Sequence, residues 1–390
     1  MLVKSIYLRN FLSYGPNSPE ATIILQPLNV IIGPNASGKS NLLEAFALLK
    51  HAPSLIQKPI REGGGLEQWL FKGEKPTPEA YISVSVPYTS SIADTLHYSL
   101  GFGGWDGVFS VSNEMLWYEI RDGQKVTTVP VYINHSGFKE IRNVPGQTDL
   151  SPIKADNTKS IFAQRKDPEQ YPEITYLGEL FERIQLYRDW TFGRYSAVRQ
   201  PQKTDLPNEW LEPDASNLTL VLNRLRRDYE AKEKLLVALR NLYNGIEDYD
   251  VRLEGGTAQV FFHEGRNLIP ATRLSDGTLR YLSLLAVLLH PNPPPLVCIE
   301  EPELGLHPDI LPTIADLLKD ASTRMQVIVT THSDILVDAM TDMPEAVLVC
   351  EKIPGGSHLR RLDAAQLRPW LEKYRLGELW ISGEIGGTRW

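Results

Sequence analysis

The sequence predicts an α/β fold with a mainly parallel core sheet, an antiparallel β lobe and a helical insertion. Three observations predict it. Unbroken apolar strands alternate with amphipathic helices toward both ends of the chain, the pattern of a sheet covered on both faces. Short β-rich runs separated by Gly, Asn and Asp fill residues 80–150. The stretch GPNASGKS, residues 33–40, stands between a buried strand and a helix.

Residues 2–10 alternate apolar and polar positions, as a half-buried strand does. ATIILQPLNVIIG supplies a second strand and a fully buried third, LNVII, that runs into Gly33. Asn41 to Lys50 reads as a helix with Leu42, Leu43, Phe46 and Leu49 on its apolar face. YISVSV, TLHYSLGF, VFSVS, MLWYEI and TTVPVYI form an antiparallel meander, and residues 145–172 read as loop. Residues 215–243 read as one helix capped by Ser216, with apolar stripes at Leu218, Val221, Leu222, Leu225, Leu235, Leu236 and Leu239. Its NRLRRDYEAKEK face is a solvated charged surface. Strands follow at YDVRLEG and AQVFFHEG; PLVCIEE and MQVIVTTHS then flank the helix DILPTIADLLKD. The organisation expected is an N-terminal lobe over 1–150, a mostly helical insertion over 151–264 and a C-terminal lobe over 265–390, the first and last forming one head.

Composition narrows the class. With 42% hydrophobic and 23% charged residues over 390, the chain is an ordinary globular protein with a sizeable core. A net charge of −8 excludes a protein coated in positive charge but leaves a local basic groove open. The apolar run Leu279–Leu289 is interrupted by Arg280 and Tyr281 and is too short to span a bilayer, and MLVKSIYLRNF lacks a cleavable secretory core. Cys298 and Cys350 sit in apolar strand-like runs and read as core residues of a reducing compartment. The expected location is the cytoplasm, without a membrane.

Gly33 to Ser40 fits G-x-x-x-x-G-K-[ST] at every fixed position. The backbone amides of Asn35, Ala36, Ser37, Gly38, Lys39, Ser40 and Asn41, at a helix N-terminus, would hold phosphate oxygens. Lys39 would neutralise the β- and γ-phosphates and Ser40 would ligate Mg²⁺. The strand LVCIEEPE ends in two acids: Glu300 for the Mg²⁺ shell and Glu301 as general base, with Glu303 close behind. A further buried strand ends at Thr330-Thr331-His332; a lone histidine is usually a satisfied core group, but by analogy with such strand ends His332 is expected to touch a γ-phosphate.

A second glycine turn, Ser275-Asp276-Gly277, opens the apolar helix near residue 276. One ATP cannot be cradled by two helix N-termini from different parts of one lobe. The economical solution is that Ser275, Asp276 and Gly277 serve the ATP held by a second copy, as a two-fold dimer allows. Ser275 also suits a plain helix cap, with Asp276 favouring the helix dipole.

These residues together resemble the ATPase head of the ABC and SMC-type superfamily, a P-loop NTPase fold. GPNASGKSN and YLRNFLSYG resemble its SMC and RecF branch; LSDGT stands where the Leu-Ser-Gly-Gly-Gln signature would be. IEEPELGLHP and TTHS resemble the Walker B, D-loop and switch-histidine stretches of AAA_21 and OLD-like ATPases. The resemblance implies an ATP- and Mg²⁺-dependent ATPase that dimerises around nucleotide and gates a separately encoded nuclease or other effector, in antiphage defence or DNA processing. The departures are a missing long coiled coil and C-x-x-C hook, and no Asp-x-Asp after AVLVCEK with Glu351, so no TOPRIM nuclease centre is expected. Gln57 and Gln68 are both candidates for the Mg²⁺-sensing glutamine.

Two alternatives remain. A RecF-like ATPase would bind DNA directly, with Arg188, Arg194, Arg199, Lys203, Arg224, Arg226 and Arg227 as candidate contacts. A transporter ATPase subunit is disfavoured by Asn35 and the β-rich insertion. The tail LGELWISGEIGGTRW, with Trp380 and Trp390, is expected to pack on its own core.

Overall fold

The computed structural model describes the chain except residues 17–21, 74–77, 90–92, 106, 123–124, 136–137, 143–148, 189 and 388–390. Part of the loop read at 145–172, and Trp390, lie outside the described residues. The chain divides into two compact units: residues 1–184 with 348–362 and 385–390, and residues 185–347 with 363–384.

The first unit opens with β1 (Ser5–Arg9), whose buried positions alternate as the sequence pattern requires. β2 (Thr22–Ile24) pairs with it, and β3 (Leu28–Ile32) is buried at every position. α1 (Lys39–His51) buries Leu42, Leu43, Phe46 and Leu49, followed by the short α2 (Gln57–Glu62) and α3 (Leu66–Trp69). The meander is β4 (Glu79–Pro87), β5 (Thr95–Trp105), β6 (Val108–Asp122), β7 (Lys125–His135), β8 (Phe138–Ile141) and β9 (Ser151–Pro152). The sheet order is β2-β1-β4-β5-β6-β7-β8-β9, and its neighbours run antiparallel. α4 (Pro172–Glu182) sets Phe181 5.5 Å from Phe162, whose ring lies 4.8 Å from Tyr98 on β5. Beneath this aromatic cluster Glu114 is buried and accepts from Tyr98 Oη at 2.7 Å, Ser160 Oγ at 2.5 Å and the Ile161 amide at 3.0 Å.

The second unit carries β10 (Gln185–Tyr187), β11 (Gln202–Lys203), α5 (Leu218–Leu225), α6 (Tyr229–Leu242), β12 (Asp248–Glu254), β13 (Thr257–Glu264) and β14 (Asn267–Pro270). It continues through α7 (Asp276–Leu288), β15 (Leu296–Glu300), α8 (Leu311–Ser322), β16 (Gln326–Thr330) and α9 (Asp334–Asp338). β10, β15 and β16 are parallel neighbours, with α8 as the crossover between the last two. β11, β12 and β14 join β13 in a separate antiparallel sheet.

The chain then returns to the first unit as a hairpin, β17 (Val347–Ile353) and β18 (Gly356–Arg361), with β17 beside β3. α10 (Ala364–Leu371) and α11 (Leu376–Ile381) close the second unit. The Gly377 amide donates to Asp338 Oδ1 at 2.7 Å, docking α11 on α9, and Trp380 is buried. Cys298 and Cys350 are buried thiols, neither of them in a disulfide. Among the described residues no helix is long and apolar enough to cross a membrane.

Two expectations need correction. The helix read over 215–243 is two helices, because Asp228 accepts from the Ala231 amide at 2.9 Å and starts α6 anew after Arg226-Arg227. Ser216 caps nothing there; Asn217 holds the N-cap position, and its side chain instead binds the Pro207 and Trp210 carbonyls at 2.8 Å. The segment 151–264 carries α4, α5 and α6 together with the strands β9, β10, β11, β12 and β13.

Candidate functional site

The phosphate loop belongs to the first unit. β3 delivers Gly33, and the turn through Ala36 (φ 61°) and Gly38 (φ 111°) opens α1 at Lys39. Among the described residues no side chain caps this helix and its first turn holds no acid, an N-terminus suited to an anion. Lys39 Nζ is folded back onto the Gly33 and Pro34 carbonyls, at 2.8 and 3.0 Å. Asn35 and Ala36 are exposed at the crest, Ser40 is exposed on the first turn, and Asn41 Nδ2 donates to Ser13 Oγ at 2.7 Å. Ser37 Oγ is buried without a hydrogen-bond partner among the described residues. An unsatisfied hydroxyl, uncapped amides and a lysine parked on its own loop fit a nucleotide's phosphates.

The second unit gathers the acids and the histidine. Glu300 ends β15 beside Thr330 of β16, with Arg188 Nε at 4.0 Å from its carboxylate. Glu301 follows in a left-handed conformation (φ 46°), its amide donating to the Thr330 carbonyl at 3.0 Å. Such a conformation costs a non-glycine residue about 1–3 kcal/mol and is kept where the surroundings impose it. Glu301 Oε1 lies 3.4 Å from His332 Nε2. Glu303 faces the backbone instead. Its Oε1 accepts from Thr331 Oγ1 and from the His332 amide, both at 2.7 Å. It fixes the backbone that carries His332, and burial pushes its carboxyl above the ordinary range. Among the described residues no group of three or more His, Cys, Asp and Glu side chains could hold a metal ion.

The signature turn lies in this same unit. Ser275 Oγ accepts from the Thr278 amide at 3.0 Å and caps α7, while Ser275 and Asp276 stay exposed. A side chain on Gly277 would stand 2.9 Å from the Gly305 carbonyl, so the turn can abut the 303–306 loop because it carries glycine. Arg199 clasps the turn from below. Buried, it donates to the Leu274 carbonyl at 2.6 Å, to the Phe192 carbonyl at 3.2 Å, and to Asp276.

Residues 28–99 and 192–338 match the AAA_21 family, described as "AAA domain, putative AbiEii toxin, Type IV TA system". The chain belongs to the AAA_21 family. Solved structures are similar to this AAA_21 chain in fold. The Smc head bound to the C-winged helix domain of ScpA is 16% identical at a TM-score of 0.59, over 94% of this chain and 99% of that one. The Smc head with an extended coiled coil bound to the C-terminal domain of ScpA, from Pyrococcus furiosus, is 15% identical at 0.58, over 95% and 99%. The Smc head with a coiled coil and joint from Pyrococcus yayanosii is 12% identical at 0.53, over 95% and 99%. No curated protein matches the sequence. The AAA_21 chain thus shares the fold of the Smc head.

Several basic residues read as DNA contacts are engaged within the AAA_21 chain. Arg199 is committed to the signature turn, Arg188 neighbours Glu300, and Arg226 pairs with Asp250. Gln57 Nε2 donates to the Thr158 carbonyl at 2.9 Å, and exposed Gln68 accepts from Lys72. Arg199 is not recognisable as a site residue from sequence because its acceptors are mainly backbone carbonyls, which leave no mark there. Tyr14, which donates to the Gly38 carbonyl at 3.0 Å, is hidden for the same reason.

Proposed function

We propose that this AAA_21 chain hydrolyses ATP with Mg²⁺, closes into a two-fold homodimer around two nucleotides, and uses that cycle to gate a separately encoded effector such as a nuclease. The Glu301–His332 pair carries the reading: a strand-end carboxylate 3.4 Å from an imidazole, on a backbone pinned by Glu303. Glu301 takes the proton of the water that attacks the γ-phosphorus. His332 orients that carboxylate and donates toward the γ-phosphate. Lys39 leaves the Gly33 and Pro34 carbonyls to neutralise the β- and γ-phosphates, as the loop amides bind their oxygens. Ser40 and Glu300 are the residues that would hold Mg²⁺, which would supply charge neutralisation on the phosphate oxygens. Ser275, Asp276 and Gly277 form the half-site offered to the other copy's ATP, supported by the exposure of Ser275 and Asp276 at the head of α7.

The family's description supports a place in defence, and the similar Smc heads bound to ScpA domains support a partner-gated cycle. Cytoplasmic location goes with this reading. Light scattering of the Glu301→Gln chain tests it: addition of ATP and Mg²⁺ should double the mass, and Ser275→Arg should abolish the dimer while leaving ATP binding by the monomer intact. A Glu301→Gln chain that stays monomeric at saturating ATP sinks the dimer reading.

A further inference from the structure

The phosphate loop is held from behind by residues outside its G-x-x-x-x-G-K-[ST] consensus. A trans peptide is planar, so a residue's C=O and the next residue's N–H point to opposite sides. Whatever holds the Ser37 and Gly38 carbonyls therefore aims the amides of Gly38 and Lys39 the other way, where phosphate oxygens would sit. The Gly38 carbonyl accepts from Tyr14 Oη at 3.0 Å as well as from the Leu42 amide of α1. The Ser37 carbonyl lies outside the helix and accepts from Ser357 Oγ and, at 3.3 Å, from Cys350 Sγ.

The donors are ordered in turn. Ser357 Oγ lies 2.6 Å from Ser13 Oγ, which accepts from Asn41 Nδ2, and the Ser357 amide donates to the Ser13 carbonyl at 2.7 Å. A hydroxyl has one proton and a carbonyl has none, so the proton order that satisfies all four groups runs from Asn41 to Ser13 to Ser357 to Ser37. Such a chain polarises each bond in it. Burial pushes the Tyr14 hydroxyl and the Cys350 thiol up, the thiol to about 11, so both stay protonated and remain donors. Two motif glycines make room: a side chain on Gly33 would stand 2.1 Å from the Cys350 carbonyl, and one on Gly38 2.2 Å from Ser357 Oγ.

We propose that Ser357, with Ser13, Tyr14 and Cys350, is a positioning shell that aims the phosphate-loop amides and so sets affinity for the nucleotide's phosphates. This rests on the reading of the loop as the ATP site. The test is calorimetric titration of the full chain with ATP and ADP. Ser357→Ala should raise both dissociation constants about five- to tenfold, as loss of one hydrogen bond in an ordered chain does. Without nucleotide, hydrogen exchange across residues 33–42 should quicken. Ser357→Thr keeps the hydroxyl and should bind within about threefold of the parent. Tyr14→Phe, which removes one oxygen and keeps the ring, should weaken both nucleotides severalfold even where Ser357→Ala folds poorly. Unchanged binding by a folded Ser357→Ala, or by Tyr14→Phe, overturns the positioning shell alone. A parent chain that binds neither nucleotide overturns the ATP-site reading and this inference with it.

Discussion

Arg199 and Asp276 form an ion pair of unequal burial: the guanidinium is 9% exposed, the carboxylate 64%. A carboxylate in the first turn of α7 suits the helix dipole but opposes an arriving phosphate. Arg199 offsets that charge while it ties down the Leu274 carbonyl.

Neutralising one partner should therefore have opposite effects. In the Glu301→Gln background, Arg199→Gln should weaken ATP-dependent dimerisation by at least about tenfold, and adding Asp276→Asn should recover part of it. Asp276→Asn with Arg199 intact should tighten the dimer by about threefold, modest because the carboxylate is solvated. Sedimentation across an ATP series reads both. A dimer weakened by Asp276→Asn alone would show that its charge does not oppose the phosphate.

The two neighbouring acids should separate cleanly on substitution. Glu301→Gln should lower kcat by about 10²–10⁴-fold with little change in KM, the loss expected for a general base. Glu303→Gln keeps a carbonyl for Thr331 and the His332 amide and should leave kcat within about fivefold. Glu303→Ala strips both bonds and should cost about 2–3 kcal/mol in urea melts. If Glu303→Gln were as inert as Glu301→Gln, the base would have to be reassigned.

His332→Ala should reduce kcat about 10²-fold, through loss of the group 3.4 Å from Glu301. Nucleotide affinity measured without turnover should barely move. A change confined to KM would make His332 a binding residue.

Glu114 sets a pH signature in the β lobe. Burial raises its carboxyl from 4.5 to about 7 despite three hydrogen bonds. Below pH 4.5 folded and unfolded chains both hold the proton; between 4.5 and about 7 the folded chain binds more. Its contribution therefore falls as pH rises through that window and levels off above it. Glu114→Gln should flatten this component of the melting curve between those pH values, as calorimetry at several pH values would show.

How much of this was legible in the sequence depends on how local each device is. Gly33 to Ser40 stand out because strand, turn and helix are contiguous, and Glu301 and His332 because each closely follows an unbroken apolar strand. Ser357 acts on Ser37 across 320 positions and Arg199 on Asp276 across 77, largely through backbone groups that every residue has. Basic and aromatic residues interleave between 187 and 203 whether an arginine faces solvent or clasps carbonyls, so Arg199 resembled a nucleic-acid contact. The break before α6 was hidden because α5 and α6 each bury a leucine stripe, and the Asp228 cap between them looked like part of a charged face.

The C-terminal hairpin that backs the phosphate loop carries a consequence for the order of events during synthesis. The loop motif leaves the ribosome before Ser357, which follows Ser37 by 320 residues. On the positioning-shell reading, a nascent chain displays the consensus before it owns the buttress, and its full grip on nucleotide waits on synthesis of the hairpin. Fragments ending before the hairpin would carry the motif with a weaker grip, and truncated products would compete poorly for ATP with the finished protein.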